Sequence, residues 1–600
     1  MTRLFSNSNF AFLSLTSLGL VLAVAACGSD KSSTGTPGTA GAAGAPVTPG
    51  AGAPNGTGGA PPVGTAGTPG TPTAGNGTVI PTAGTGSGGA PVGTAGASPG
   101  AGASGAPVGT AGSMGTAGSA GGTVVTPNLP PLVTSAPGAY WKTDAMPTDS
   151  TATATVTVND TAAAQKWEGM GAAFNELGWK FLTTAEMKTK AIALLFSATD
   201  GANFAWGRIP MGASDYAESR YTPEDNAGAD PAPDGTESNR PAADTSLSKF
   251  SLDRDKMKLI PYIKAAQAVK KDLRFWASPW TPPVWMKTGY MKVDGSNRSS
   301  GTAKKPSYYD GGSMKSDAAI LTAYAQYYTK FVQGYKEEGI NIEVVSPQNE
   351  PGYDQNYPSC LWDKDTYATF IGKYLGPAMK PLGIGIMLGT LSNESDGKDA
   401  TNAAAALADA TAKSFLTVIG AQWGMLSKDK LSPLNSTLPI WASEHKCGNY
   451  PWMTDTYNKT QAPNDQAYGV ESWGYIRDAV KTVKVTSYNA WNMVLDKSGL
   501  GIDTTRDWKQ DALLVADGGA VTATPAYYVF RHISQYVAPG ATVVGTTGGD
   551  ALAFKNADGS LVAVMYNSGA ANPSYVVAIG GKKLQFAMPA NGWATVKVKP

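Results

Sequence analysis

From about residue 166 to residue 496 the chain repeats one pattern: a short apolar run, then a longer stretch whose apolar positions fall at helical spacing. The apolar runs are KWEGMGAAF (166–174), FAWGRIPMG (204–212), LRFWASPW (273–280), IEVVSPQNE (342–350), GIMLGTLSN (385–393), VIGAQWG (418–424), LPIWASEH (438–445) and VTSYNAWNMVLD (485–496). Each has the length of a buried strand. The stretches between them, such as AAILTAYAQYYTKFVQGYKEEG from Ala318 to Gly339, suit amphipathic helices ended by a glycine. Eight strands alternating with helices predict an α/β fold, a (β/α)8 barrel, although an open doubly wound sheet has the same period.

Composition limits where that folded region starts. Residues 32 to 141 contain no Asp, Glu, Lys or Arg and are built from Gly, Ala, Thr, Pro and Ser, with PVGTAG recurring at 62, 91 and 107. Such a segment cannot bury enough apolar surface to offset its ordering entropy, so 27–133 is expected to be a disordered neutral spacer. Before it, MTRLFSNSNFAFLSLTSLGLVLAVAACGSD has an early arginine, an apolar stretch and small residues ahead of Cys27, the pattern of an export signal over 1–26. Val24 to Cys27 resemble a bacterial lipobox, which implies lipidation of Cys27 and a protein tethered to the cell envelope or surface; an ordinary secretory signal is the alternative. The 47 basic residues balance 46 acidic ones, so no global field favours nucleic acid, and a membrane is expected to be met only through the lipid anchor.

With Cys27 lipidated, Cys360 and Cys447 remain, ten residues after Glu350 and three after Glu444. Export favours pairing, and a bridge between them would tie together the loops around both carboxylates, so a Cys360–Cys447 disulfide is expected, with two unpaired buried thiols as the alternative.

In a barrel, chemistry collects at the carboxyl ends of the strands. Arg208, Trp280, Asn349, Glu350, Glu444 and Trp491 all fall at or near such ends. Any one of them would pass as a capping or loop residue, but as a set they supply two carboxylates with aromatic neighbours. Two carboxylates across a barrel mouth suit glycoside hydrolysis, in which one is protonated to assist the leaving oxygen and the other attacks. Arg208 would keep its neighbouring carboxylate ionised, Asn349 would hold a sugar hydroxyl, Pro351 would stiffen the turn after Glu350, and the tryptophans would offer flat apolar faces to sugar rings.

Five ordered segments carry a family resemblance: GRIPMGASDY (207–216), ASPWTPPVWMKT (277–288), SPQNEP (346–351), WASEH (441–445) and WNMVLD (491–496). Together they resemble the signature segments of glycoside hydrolase family 30, and TPAYYVFRHISQYVAPGATVV (524–544) resembles that family's entry into its C-terminal β-sandwich. The resemblance implies a retaining enzyme without cofactor or metal, with Glu350 as acid/base and Glu444 as nucleophile. It also carries over Arg208, Asp215, Trp280, Asn349 and Trp491 as residues lining the sugar pocket. The fold it implies is a barrel over 166–499 and a sandwich shared between 134–165 and 500–600. VVTPNLPPLVTSAPGAYWKT and ATATVTVND would supply the early strands of that sandwich, and the period-two alternation of ALAFKNADGSLVAVMYN and WATVKVKP the late ones.

One segment departs from the family. The sixth strand usually ends in a His-Trp-Tyr-like group whose tyrosine supports the nucleophile, and here it reads Gln422, Trp423, Gly424. Either Glu444 is then oriented by other donors, Arg208 and His445 being the candidates, or turnover is weaker than in relatives. The substrate implied is an extracellular polysaccharide or oligosaccharide, β-1,6-glucan first, with glucosylceramidase-like or glucuronoxylanase-like action as alternatives, cut by a monomer. A surface lectin that has kept the cleft without cutting is the alternative of another class, disfavoured because both carboxylates are present. A metal hydrolase is disfavoured by a chain with only two histidines, His445 and His532, and no metal-binding spacing.

Overall fold

The computed structural model describes residues 128–143, 146–225, 237–290, 307–392, 397–448, 465–502 and 510–599. The export signal, Cys27 and nearly all of the uncharged spacer lie outside the described residues.

All eight expected strands form, and they close on themselves. They are β1 (Gly169–Ala173), β2 (Trp206–Pro210), β3 (Arg274–Ser278), β4 (Ile342–Val345), β5 (Gly385–Leu391), β6 (Leu416–Gln422), β7 (Ile440–His445) and β8 (Ser487–Asn492). Each pairs in parallel with its neighbours, and β8 returns to β1, so the open-sheet alternative is set aside. Closure comes from burial on both faces: the outer face packs on helices, while Trp206, Trp276, Val344, Met387, Val418 and Trp441 fill the interior below the mouth.

The helix expected from 318 spans Ala318–Glu337 and buries Leu321, Tyr324, Tyr328, Phe331 and Tyr335, positions three or four apart on one face. It stops at Gly339, whose φ of 76° is the left-handed conformation glycine adopts without strain. Gly339 N–H bonds Lys336 O at 2.9 Å and Ile340 N–H bonds Tyr335 O at 2.9 Å, which satisfies carbonyls that the helix end would leave open.

The second body of strands draws on both ends of the chain, as the resemblance implies. Its ten strands run in the order Ala139–Lys142, Leu132–Ala136, Gly592–Val598, Leu561–Asn567, Asp550–Lys555, Thr542–Thr547, Val156–Lys166, Asn572–Ile579, Lys582–Met588, Thr148–Asp149. Their inner faces share a core that includes Leu132, Val156, Val544, Leu561, Val577, Phe586 and Val596. The boundary expected at residue 500 falls later. Val494–Asp496, Leu514–Asp517 and Ala520–Ala523 form a separate three-stranded sheet, and the helix Pro525–Ser534 follows before the first late sandwich strand begins at Thr542. Alternation alone does not distinguish a strand in this small sheet from one in the sandwich.

The expected disulfide is absent. Cys360 and Cys447 are both free and both fully buried. The loops turn their sulfurs into separate parts of the interior: Cys447 lies against Tyr468, and Cys360 beside Lys287. Lys287 does part of what a bridge was expected to do. Its buried ammonium donates to Tyr309 O, Gly311 O and Ser359 O at 2.9, 2.8 and 2.9 Å, joining the loop after β3 to the loop after β4.

Candidate active site

Glu350 and Glu444 both come to the carboxyl end of the barrel by local departures from regular strand. Residue β7 Trp441 faces the interior, so strict alternation would turn Glu444 outward toward the helices. The pairing shifts register between Ala421 and Gln422 on one side of β7 and between Ala442 and His445 on the other. This irregularity brings Glu444 inward to Arg208 of β2 and leaves His445 facing Tyr488. Glu350 lies five residues beyond β4 with φ of 53°, a left-handed conformation unusual outside glycine. Hydrogen bonds from Asn349 N to Pro279 O at 2.7 Å and from Glu350 N to Thr390 O at 3.1 Å hold the turn.

Arg208 is the centre of the polar set. Its Nη1 donates to Glu444 Oε2 in a buried ion pair. Nη2 donates to Asn349 Oδ1 at 2.7 Å and to Ser278 Oγ at 2.9 Å, and Nε to the same hydroxyl at 3.1 Å. The guanidinium lies 4.3 Å from the ring centroid of Trp280, 4.8 Å from Trp276 and 5.3 Å from Trp491. A planar fork suits this place because it serves three acceptors while its faces meet aromatic rings.

Three residues to which sequence reasoning gave no role, Gln422, Trp423 and Tyr357, complete the carboxylate shell. Trp423 Nε1 donates to Glu444 Oε1 at 3.2 Å, and Gln422 Nε2 donates to Glu350 Oε1 at 3.0 Å. The end of β6 thus supplies one donor to each carboxylate. Trp423 reaches its place with φ of 44°, and its ring lies over Gly448, where an added Cβ would sit 2.5 Å from the ring. Glu444 therefore has its second donor, an indole in place of a tyrosine hydroxyl. The signal was present in the sequence, because Trp423 carries an N–H donor and follows the strand beside Glu444. His445 is not that donor: its Nδ1 pairs with Tyr488 Oη at 2.6 Å, and its ring packs against Trp423. Tyr357 Oη, from the loop after β4, donates to Glu350 Oε2 at 3.2 Å.

The remaining expected residues gather here too. Asp215 is buried, and its charge acts on both glutamates and on Arg208. Trp280 and Trp491 stack on each other with centroids 5.2 Å apart, so each has one face covered by the other rather than open to a sugar ring.

Burial raises both carboxyl groups, and their neighbours differ. Burial, and then the charge of Glu444, push Glu350 up to about 8. Burial raises Glu444 as well, but the charge of Arg208 and the hydrogen bonds from Arg208 and Trp423 act in the opposite direction. The arginine beside Glu444 favours its charged form, while Glu350 has its proton favoured by burial and by the charge of Glu444. Among the described residues no group of three or more His, Cys, Asp or Glu side chains is arranged to hold a metal.

A closed barrel carrying a buried glutamate pair at the carboxyl end of its strands, one of them paired with arginine, defines a glycoside hydrolase. The chain belongs to glycosyl hydrolase family 30: the family's TIM-barrel domain matches residues 168–537 and its β-sandwich domain residues 540–596. It is 25% identical to an endo-1,6-β-D-glucanase of Aspergillus fumigatus over 69% of this chain and 81% of that one. It is also 25% identical to the lysosomal acid glucosylceramidase of Mus musculus, over 67% of this chain and 75% of that one. Among solved structures, the endo-β1,6-glucanase BT3312 shares the fold with a TM-score of 0.61 and 21% identity, over 78% of this chain and 98% of that one.

Proposed function

We propose that this glycoside hydrolase cleaves a β-glycosidic bond with retention of configuration, by double displacement, and that its substrate is an extracellular β-1,6-linked glucan. The observation that carries the mechanism is the unequal environment of the two glutamates. Glu350, neutral and held by Gln422 and Tyr357, donates its proton to the leaving oxygen. Glu444, ionised against Arg208 and Trp423, attacks the anomeric carbon. Water, deprotonated by Glu350 after it has given up its proton, then releases the sugar from Glu444. Asn349 Oδ1 already accepts from Arg208 and from Thr390 Oγ1, the latter at 2.9 Å, so its amide nitrogen is the end left to meet a substrate hydroxyl. The linkage rests on the endo-1,6-β-glucanase relative together with the exported, tethered character read from the N-terminal sequence. Glucosylceramide is the second reading, favoured by the glucosylceramidase relative at equal identity. A glycan panel with product analysis separates them: oligosaccharides released from β-1,6-glucan support the first, and release of glucose from glucosylceramide alone overturns it. Proton NMR of the first-formed product tests retention.

The N-terminal segment supports export with a lipid on Cys27. Cys27→Ser is expected to move the protein from the membrane fraction to the soluble one.

Two outcomes follow from the end of β6. Trp423→Phe removes a charge-assisted donor from Glu444 while keeping an aromatic ring on Gly448, so kcat is expected to fall ~10- to 100-fold, the loss of about 1.5–3 kcal/mol. Steady-state kinetics on an aryl β-glucoside checks it. Because Glu350 must be protonated to act as the acid, the rate is expected to fall as pH rises through about 8. Gln422→Ala removes a donor that favours the ionised form, so it moves this basic limb upward; a pH–rate profile of kcat/KM that moves downward contradicts the assignment.

A further inference from the structure

Asp399 lies in the first turn of the helix Lys398–Ala408, which follows β5, and it is fully buried. Its two oxygens reach two different loops. Oδ1 accepts from Gly352 N at 2.7 Å, two residues after Glu350, and Oδ2 accepts from Ser392 N at 2.6 Å, directly after β5. Ser392 in turn hydrogen-bonds to the Glu350 carboxyl group. One carboxylate thus ties the turn that carries Glu350 to a residue that touches it. Glycine at 352 permits the approach: a Cβ there would lie 2.8 Å from Asp399 Oδ1 and 2.8 Å from Asp399 N.

A carboxylate suits this place because each oxygen meets a backbone N–H, and an amide side chain would turn its own donor toward one of them. The charge matters as well as the shape. Four charged groups act with Glu350: Glu444 of β7, Asp215 of the loop after β2, Arg208 of β2 and Asp399. Gln422, Tyr357 and Ser392 are its neutral donors. Burial and the charge of Glu444 come first in raising Glu350, and the charges of Asp399 and Asp215 add to them against the hydrogen bond from Ser392. Beside Asp399, the charge of Lys398 acts on Asp354, and the Tyr367 hydroxyl, which accepts from Gly389 N at 3.1 Å, feels the charge of Asp399.

We propose that Asp399 is a positioning residue for proton donation by Glu350: it locks the turn after the glutamate to the end of β5, and its buried negative charge opposes a second negative charge on Glu350. The proposal rests on the reading above that Glu350 is the acid. It needs no contact between Asp399 and the substrate, because the carboxylate acts through Gly352, through Ser392 and through its field. An acid that is displaced, or that loses its proton too readily, costs most where the leaving oxygen needs that proton most.

The test compares leaving groups. Asp399→Asn is expected to lower kcat/KM about ten-fold on a phenyl β-glucoside, whose leaving group needs the acid, and distinctly less on a dinitrophenyl β-glucoside, whose leaving group does not. The basic limb of its pH–rate profile is expected to move downward by about 0.5–1 pH unit, opposite to Gln422→Ala, because loss of a nearby anion makes Glu350 easier to ionise. Should thermal unfolding show Asp399→Asn unfolded at the assay temperature, Gly352→Ala carries the comparison: its Cβ displaces the carboxylate without removing it, and the same selective loss on the phenyl glucoside is expected. An equal loss on both glucosides, or a limb that stays in place in folded Asp399→Asn, overturns the positioning role. Glu350→Ala, measured beside these variants, tests the reading underneath. If it loses both glucosides equally, Glu350 is not the acid and both statements fall; if it is selective and the Asp399 and Gly352 variants are not, only the role of Asp399 falls.

Discussion

Glu444→Gln and Glu350→Gln each reduce turnover at least ~100-fold, and the two variants are expected to differ in every other respect. Burial pushes Glu350 up to about 8, which favours its neutral form near pH 7, so glutamine, a neutral group of the same shape, is expected to leave the fold at wild-type stability. Glu444 is the buried partner of Arg208. Glutamine there still offers an acceptor but removes the charge, and unfolding is expected to ease by about 1–3 kcal/mol. Alanine variants sharpen the contrast. An activated aryl glycoside needs little acid assistance to leave, so azide restores part of the rate to Glu350→Ala, with a β-glycosyl azide as product. Glu444→Ala with azide gives the opposite anomer, because the added anion then stands in for the nucleophile itself. Rescue with the two products exchanged would reverse the roles of the two glutamates.

Arg208→Met is expected to cost both activity and stability. Removing one partner of a buried ion pair typically costs about 3–5 kcal/mol, and Asn349 Oδ1 and Ser278 Oγ lose their donor in the same step. Glu444 can relieve part of that loss by taking a proton. Its folded-state pKa, without the arginine to oppose burial, then rises farther above the ordinary 4.5. The folded state of the variant binds this proton more tightly than the unfolded state does, so stability relative to the wild type is greatest below about pH 4.5 and is lost as pH rises toward the new folded value. Turnover falls at least ~100-fold, since the nucleophile is no longer held ionised. Arg208→Lys keeps a charge but not the planar fork, so it recovers stability better than rate. Thermal unfolding against pH, with kcat/KM measured on the same proteins, checks both parts; a difference in melting temperature from wild type that shrinks with rising pH contradicts the ion-pair account.

The glutamates and their arginine were legible because a barrel gathers the ends of its strands, so residues hundreds of positions apart become neighbours whenever each ends a strand. Gln422 and Trp423 also end a strand, yet they passed as a missing tyrosine. The sequence named the residue types but not which N–H would face which carboxylate. That depends on the register shift around Ala421 and Ala442, a feature of pairing between strands that leaves no mark on the hydrophobic pattern of either one. The cysteines misled for a related reason. Their proximity to the two glutamates along the chain was real, but a loop can point a side chain across the mouth or into the core. The packing of Cys447 against Tyr468 and of Cys360 beside Lys287 takes the second course.

The sequence by itself determined the number and order of the barrel strands, because alternating apolar runs and helical stretches are local properties of the chain. That both ends contribute to the sandwich was what the family resemblance implied, with period-two alternation marking its late strands. The sequence also singled out the residues able to do acid, base and nucleophilic chemistry, since those side-chain types are few at strand ends. The family resemblance implied Glu350 as the acid and Glu444 as the nucleophile. Only the tertiary structure decided the surroundings that set them apart, a buried arginine paired with Glu444 and the neutral donors Gln422 and Tyr357 on Glu350, and low dielectric makes that difference count only once the chain has closed around it.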